Sequence, residues 1–161
     1  MNIVYLHGLD SKLSAEKKAI LERYGEVNTP DLNYYTNPDA IATILQMLAD
    51  VQIDVVIGSS MGGFAAYHVS NALKKPGLMF NPALVERSVT QNVPDIDSFN
   101  PLKQIVLGQM DEVVSPIDTL SFLTKDFNPV TDVHIHLVPA LGHNIPVDFF
   151  KEEVDSFFRK L

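Results

Sequence analysis

Short segments rich in β-branched residues, the weakest of them at 26–29, alternate with segments of helical periodicity along the chain. Because strands joined by helices form right-handed crossovers, this alternation predicts a mainly parallel sheet with helices on both faces. The strand segments are nearly continuous in apolar residues, which is typical of strands buried on both faces. We therefore expect a three-layer, doubly wound α/β fold with strand order 2-1-3-4-5-6. The predicted strands are residues 2–6, 26–29, 53–57, 77–80, 104–107 and 133–138.

Capping residues indicate where several helices begin. Ser14 precedes a helix that is predicted to reach about residue 24, and Ser115-Pro116 precedes one that reaches about residue 125. Asn37-Pro38 combines a favoured N-cap with a favoured first helical residue, and apolar residues follow it at helical spacing. Further helices are predicted over residues 61–73, 82–89 and 146–160.

Composition limits the classes of protein that the chain can belong to. Its 161 residues, 46% of them apolar, predict a single domain over 1–161. With a net charge of −8 and no cluster of basic residues, nucleic acid is not an expected partner. The absence of cysteine excludes disulfides, zinc–thiolate sites and a thiol nucleophile. No apolar stretch approaches the ~18 residues of a membrane span, and the first residues lack the basic region of a signal peptide, so we expect a cytoplasmic protein.

The stretch GSSMGG at 58–63 follows the third predicted strand and precedes a helix. It fits the pattern G-x-S-x-G with Ser60 at its centre, whereas Ser59 cannot be the centre because residue 57 is Ile. Such a turn holds the central serine in a strained conformation above the sheet, and its glycines avoid collisions with the neighbouring strand and helix. The alternative is a glycine-rich turn without chemistry, since the pentapeptide occurs often by chance.

A nucleophilic serine needs an acid and a base, which follow it along the chain in proteins with this turn. Asp111 lies in the loop after the fifth predicted strand, and Glu112 competes with it for the role of the acid. Asp118 is better explained as an acidic residue in the first turn of a helix. A solvated loop carboxylate is the alternative for Asp111.

His143 lies in a glycine-containing loop just after the sixth predicted strand, which makes it the candidate base. His7 begins a turn, and His68 lies one turn too deep in a helix. His134 and His136 alternate along one strand and could be two metal ligands, but no third ligand accompanies them. We expect these two side chains to be exposed near a sheet edge, and we expect neither a metal nor an organic cofactor.

The oxygen of a tetrahedral intermediate needs two preorganised donors. One is expected from the backbone N–H of Met61, directly after the serine, and the other from the N–H of Leu9 in the loop after the first strand. The predicted strand order brings that loop next to Ser60. His7 and Gly8 are expected to shape the loop, without a proton-transfer role for His7.

Five motifs together resemble the small bacterial esterases of the YqiA type, the UPF0227 group of the α/β-hydrolase superfamily. They are YLHGLDS at 5–11, GSSMGG at 58–63, NPA at 81–83, GQMDEV at 108–113 and GH at 142–143. The resemblance spans nearly the whole chain and implies a compact α/β hydrolase without a lid domain. It makes Ser60 the nucleophile, Asp111 the acid and His143 the base of an enzyme that hydrolyses esters of short to medium acyl chains. The first turn reads HGLDS where HGFxS is commoner in that group.

The expected substrate is a small-molecule ester bound in an open, shallow site, because segment 81–101, where lids are common in this superfamily, is predicted to hold at most one short helix. Loop residues at the same sheet edge are candidates to line it, although each is also consistent with ordinary packing: Tyr34, Pro82, Met110, Val113 and Ile145. Thioesterase, amidase and peptidase activity on the same triad are alternatives. A catalytically silent binding protein on a hydrolase fold is another.

Overall fold

The computed structural model describes residues 1–95, 101–126 and 132–161. Its six strands form one sheet in the order β2-β1-β3-β4-β5-β6, and every neighbouring pair is parallel. The predicted fold class and strand order are confirmed. The strands are β1 Asn2–Leu6, β2 Glu26–Asn28, β3 Val55–Ser59, β4 Gly77–Phe80, β5 Lys103–Gly108 and β6 Val133–Val138.

The helices of the described residues alternate with these strands. They are α1 Ala15–Leu21, α2 Ala40–Met47, α3 Met61–Leu73, α4 Pro116–Leu123 and α5 Val147–Phe158, and a 3-10 turn, Thr124–Asp126, continues α4. Ser14 caps α1 by accepting from the Lys17 amide, and Ser115 caps α4 by accepting from the Asp118 amide. Both hydroxyls satisfy amides that lack partners within the helix, as their sequence positions predict.

The predicted start of the second helix and the predicted helix over residues 82–89 are wrong. Helix α2 begins at Ala40, because the Asn37 side chain accepts from the Asp39 amide and closes a turn before the helix. Residues 82–89 form no helix. There the Arg87 side chain donates to the carbonyl oxygens of Ala83 and Leu84, which backbone amides would bind in a helix.

The core lies on both faces of the sheet because successive strand residues point to opposite sides. Val4, Leu6 and Val56 pack with α2, α3 and α4 on one face. Ile3 and Tyr5 belong to the other face, where α1 and α5 pack. Because the strands are parallel, their carboxyl ends all lie at one edge of the sheet. The loops that follow the strands can therefore meet at that edge.

The described residues between β4 and β5 add no further layer. These residues, 81–95 and 101–102, contain no helix or strand that could form a lid. None of the described helices is both long and apolar enough to cross a membrane.

The histidine pair of β6 lies on the edge strand of the sheet. His134 binds Asp132, while His136 binds Glu153 of α5 at 2.8 Å. The side chains are 43% and 34% exposed. Among the described residues no third ligand joins them to make a metal-binding group.

Candidate active site

Ser60 occupies a sharp turn between β3 and α3. Its backbone has φ 56° and ψ −119°, a conformation that costs a non-glycine residue free energy and is held by its surroundings. The Ser60 amide donates to the Phe80 carbonyl at 2.9 Å, and the Ser60 carbonyl accepts from the amides of Phe64 and Ala83. These bonds fix the turn to the end of β4 and to the first turn of α3, so the side chain projects at the carboxyl edge of the sheet.

The glycines on either side of Ser60 have a steric reason. A Cβ on Gly58 would lie 2.1 Å from the carbonyl oxygen of Gly62, and one on Gly62 would lie 2.0 Å from that of Leu6. Both neighbours are backbone atoms, which cannot rotate away. Strand, helix and turn can approach this closely only with glycine at both positions.

The structure brings together the three side chains that the sequence nominated. His143 Nε2 lies 3.1 Å from Ser60 Oγ, and His143 Nδ1 lies 2.8 Å from Asp111 Oδ2. Because a carboxylate only accepts hydrogen bonds, Nδ1 carries the proton and leaves Nε2 free to accept from the Ser60 hydroxyl. This is the protonation state that a general base requires.

Backbone geometry separates Asp111 from its competitors. The Asp111 side chain is 1% exposed, and its Oδ1 accepts from the amides of Val113 and Val114, each at 2.8 Å. Glu112 is exposed. Asp118 lies in the first turn of α4, as expected. Only Asp111 of these three is bound to His143 in the structure.

The neighbouring serine has a different partner. The Ser59 hydroxyl forms a hydrogen bond with Tyr5, and burial raises the pKa of Tyr5 to about 12, although this bond acts against the rise. The Tyr5 phenol is therefore protonated at neutral pH. Of the two serines, Ser60 is the one whose hydroxyl is hydrogen-bonded to His143.

Asn81 anchors the histidine loop and was not predicted to have a role in the site. It is buried, it follows β4 directly, and its φ of 42° is unusual for a residue other than glycine. Its Nδ2 donates to the carbonyl oxygens of Gly142 and His143 at 3.0 and 3.1 Å, and its Oδ1 accepts from the Gly108 amide at 2.7 Å. One side chain thus joins the ends of β4 and β5 to the loop that carries His143. Its place just after a strand, the rule that selected Asp111 and His143, could have identified it.

The loop after β1 lies against Ser60, on the side away from β4. A Cβ on Gly8 would be 3.5 Å from the Ser60 Cβ. His7 Nδ1 donates to the Gly8 carbonyl at 2.6 Å, and His7 Nε2 accepts from the Leu32 amide at 3.0 Å. Both ring nitrogens are therefore engaged in holding the loop. The amides of Leu9 and Met61 have no protein acceptor in the described part of the chain, so both can serve a ligand.

A cavity of about 430 Å³ opens at Ser60 and His143. Val113 and Ile145 line it, whereas Tyr34, Pro82 and Met110 do not, which corrects the expectation for these three residues. The Tyr34 hydroxyl donates to the His7 carbonyl from within the core, Pro82 packs against α3, and the Met110 side chain is 63% exposed. Other lining residues were not predicted as such and come from the loop after β1, from α1 and from the segment after β4: Ser11, Lys12, Ser14, Lys17, Glu86 and Arg87.

Comparison with protein families tests the family resemblance that the sequence motifs indicate. Residues 2–117 match the model of an uncharacterised protein family, UPF0227. The chain belongs to this family. The resemblance found in the sequence is thereby confirmed. No curated protein sequence matches the chain significantly.

Comparison with solved structures shows which fold this chain shares with other proteins. A protein from Xanthomonas campestris pv. campestris that is assigned to the α/β hydrolase superfamily has 18% identity and a TM-score of 0.73, with 99% of each chain covered. Mouse α/β hydrolase domain-containing protein 10 has 14% identity and a TM-score of 0.73, covering 99% of this chain and 90% of its own. Est1E from Butyrivibrio proteoclasticus, solved with ferulic acid, has 15% identity and a TM-score of 0.73, covering 99% and 88%. At these identities the likeness shows a shared α/β hydrolase fold.

Proposed function

We propose that this protein is a serine hydrolase that cleaves small carboxylic esters through a covalent acyl-enzyme. The observation that carries the proposal is the continuous hydrogen-bonded chain from Ser60 Oγ through His143 to the buried Asp111 carboxylate. The strained turn at Ser60 and the two unpaired amides beside it add further support. Each part is needed for acyl transfer. Leu9, Ser60, Met61 and His143 line one cavity, and the buried Asp111 carboxylate is bound to His143.

The first half-reaction forms the acyl-enzyme. His143 Nε2 takes the Ser60 proton while Oγ attacks the carbonyl carbon of the ester. The Met61 and Leu9 amides would donate to the oxygen that becomes negative in the tetrahedral intermediate. Asp111 holds the imidazole in the required tautomer and stabilises the imidazolium. His143 then protonates the departing alcohol, which leaves the acyl group on Ser60.

The second half-reaction restores the free enzyme. Water loses a proton to His143 Nε2 and attacks the acyl carbonyl, the same amides bind the oxyanion, and His143 returns the proton to Ser60 Oγ as the acid departs. Neither step requires a metal or an organic cofactor. A cavity of about 430 Å³, without an overlying helix or strand among the described residues, suits short to medium acyl chains.

The two adjacent serines provide the test. Replacing Ser60 with Ala is expected to abolish hydrolysis of 4-nitrophenyl acetate, because the nucleophile is removed. Ser59→Ala is the matched control and should retain much of the activity, since that hydroxyl binds Tyr5. Loss of activity in Ser59→Ala with retention in Ser60→Ala would refute the assignment of the nucleophile. Equal rates in all three proteins would refute the proposed function.

A further inference from the structure

Lys17 places a positive charge in the wall of the catalytic cavity. It lies on α1, which contributes one side of the cavity together with Tyr5 and the hydroxyls of Ser11 and Ser14. Its ammonium group lies 5.4 Å from the centre of the Phe150 ring of α5, a cation–π contact, while the residue lines the cavity.

The sequence of α1 leaves this lysine without an ion-pair partner on its own helix. Residues three and four positions away are neighbours on a helix surface, and for Lys17 these are Leu13, Ser14, Ile20 and Leu21. The next residue, Lys18, has Glu22 at the fourth position and pairs with it. No carboxylate in the described ranges pairs with Lys17. Burial alone acts on the pKa of Lys17 and lowers it, and no neighbouring acid offsets this effect.

The other charged side chains of the cavity wall have contacts of their own or are exposed to solvent. Asp10 accepts from the Tyr35 hydroxyl, and Lys12 pairs with Asp31. Glu86 is exposed, and Arg87 stacks on Phe64 on the opposite face of the sheet from α1. At the α1 side, Lys17 therefore supplies one positive charge that no carboxylate of the described residues pairs with, within a chain whose net charge is −8.

We propose that Lys17 binds a carboxylate of the substrate, so that the preferred substrates are esters carrying a second, ionised carboxyl group. At the α1 side of the cavity, Lys17 supplies one positive charge next to Ser11 and Ser14, and a singly charged carboxylate balances one such charge, whereas a doubly charged phosphate would need two. A bound carboxylate would also offset the cost of burying the ammonium group. This inference rests on the proposed function, because it concerns which esters reach Ser60. It makes Lys17 a specificity residue rather than a participant in bond cleavage.

Two matched pairs of esters test the inference. On the acyl side, 4-nitrophenyl hydrogen adipate is compared with 4-nitrophenyl hexanoate; on the alcohol side, 4-carboxyphenyl acetate is compared with phenyl acetate. The measured quantity is kcat/KM for the charged ester divided by kcat/KM for the neutral one. In Lys17→Gln this ratio is expected to fall about 10-fold in at least one pair, the effect of losing one partly buried charge contact. In the wild type the same ratio should fall as ionic strength rises.

Lys18→Gln is the control, because it removes the same charge from the adjacent position on an exposed surface. Its ratios should match those of the wild type in both pairs. Unchanged ratios in Lys17→Gln, or an equal loss for charged and neutral esters, would overturn the inference and leave Lys17 as a cover for Phe150.

A binding measurement separates this inference from the proposed function. Ser60→Ala should still bind 4-nitrophenyl hydrogen adipate by calorimetry, and Ser60→Ala with Lys17→Gln should bind it about 10-fold more weakly. If no ester is hydrolysed in a Ser60-dependent way but this difference persists, the proposed function fails and the carboxylate site stands. If hydrolysis depends on Ser60 but binding does not depend on Lys17, the carboxylate site fails.

Discussion

Two pairs of neighbouring residues offer the same functional groups: Ser59 with Ser60, and Asp111 with Glu112. In each pair the backbone decides which side chain reaches His143. The turn at Ser60 directs its Oγ to within 3.1 Å of the imidazole, and two backbone amides hold the Asp111 carboxylate against the other ring nitrogen. Of the other two side chains, Ser59 forms a hydrogen bond with Tyr5, and Glu112 is exposed to solvent.

The acidic pair gives the first prediction. Asp111→Asn should lower kcat for ester hydrolysis by about 10⁴-fold, because an amide cannot hold the imidazole in the tautomer that leaves Nε2 free. Glu112→Gln removes the same charge one residue away and should change kcat less than about twofold, as surface substitutions usually do. Steady-state kinetics measure kcat of the two variants and of the wild type. Similar losses in both would contradict the assignment of Asp111.

Spacing and chain order were sufficient to nominate Ser60, Asp111 and His143, because each directly follows a predicted strand. Spacing and chain order did not identify the residues that line the cavity, because they do not determine the direction in which a loop side chain points. Tyr34 was expected at the rim, yet its ring is buried and its hydroxyl supports His7. Lys17 lines the cavity but sits within a helix, where nothing in the local sequence distinguishes it from Lys18 except the missing acid four residues on.

At the scale of elements, the site depends on how closely α3 approaches β1. The first turn of α3 passes the end of β1 with Gly62 at the contact, where a Cβ would meet two carbonyl oxygens of Leu6 and His7 at 2.0 and 2.3 Å. This close approach sets the distance between the Met61 amide and the loop that carries Leu9. A larger residue would have to separate the helix from the sheet.

Gly62→Ala is therefore expected to lower the free energy of unfolding by about 3 kcal/mol or more, since backbone atoms have to move to admit the methyl group. Gly142→Ala is the matched control. A Cβ there would have an ordinary contact, 3.6 Å from the Met110 carbonyl oxygen, and should cost less than about 1 kcal/mol. Urea unfolding of both variants measures the difference. Equal stabilities would show that the contact at Gly62 is not tight.

Local sequence predicted most elements but not every boundary. Ser14 and Ser115 cap helices where the capping pattern placed them, because a short side chain before an amphipathic run has few competing uses. Residues 82–89 did not form the predicted helix, since the Arg87 side chain takes the carbonyl groups of Ala83 and Leu84 while it packs on Phe64. Such tertiary competition is not visible in helical periodicity.

At the scale of the whole molecule, the sheet separates two apolar clusters and brings the ends of β1, β3, β4, β5 and β6 to one edge. This arrangement follows from the alternation of strands and helices, which is why the fold could be predicted from sequence. The same layered packing buries polar groups that the sequence did not mark as buried. His68 on α3 is partly buried, in contact with the rings of Phe64 and Tyr67.

His68 should make stability depend on pH. Burial, and then the charges of Arg87 and Lys103, lower its pKa from 6.5 to about 4 in the folded protein. Between about pH 6.5 and pH 4 the unfolded chain binds the proton and the folded protein does not, so the free energy of unfolding falls as the pH falls through this window. The loss amounts to at most about 3 kcal/mol.

Urea unfolding at several pH values tests this prediction. In His68→Gln the free energy of unfolding should fall less steeply than in the wild type as the pH is lowered through the same window, because the residue that resists protonation is gone. Parallel curves for the two proteins would contradict the burial of a neutral imidazole at this position.

We expect Ser60 to be an activated nucleophile in the folded protein. Mass spectrometry after treatment with a fluorophosphonate probe tests it directly, because the probe reacts with a serine only where a base and an oxyanion site act on it. Fragmentation of the modified peptide should place the phosphonate on Ser60 in the wild type and in Ser59→Ala, and Ser60→Ala should carry none. A phosphonate on Ser59, or an unmodified folded wild-type protein, would contradict the account.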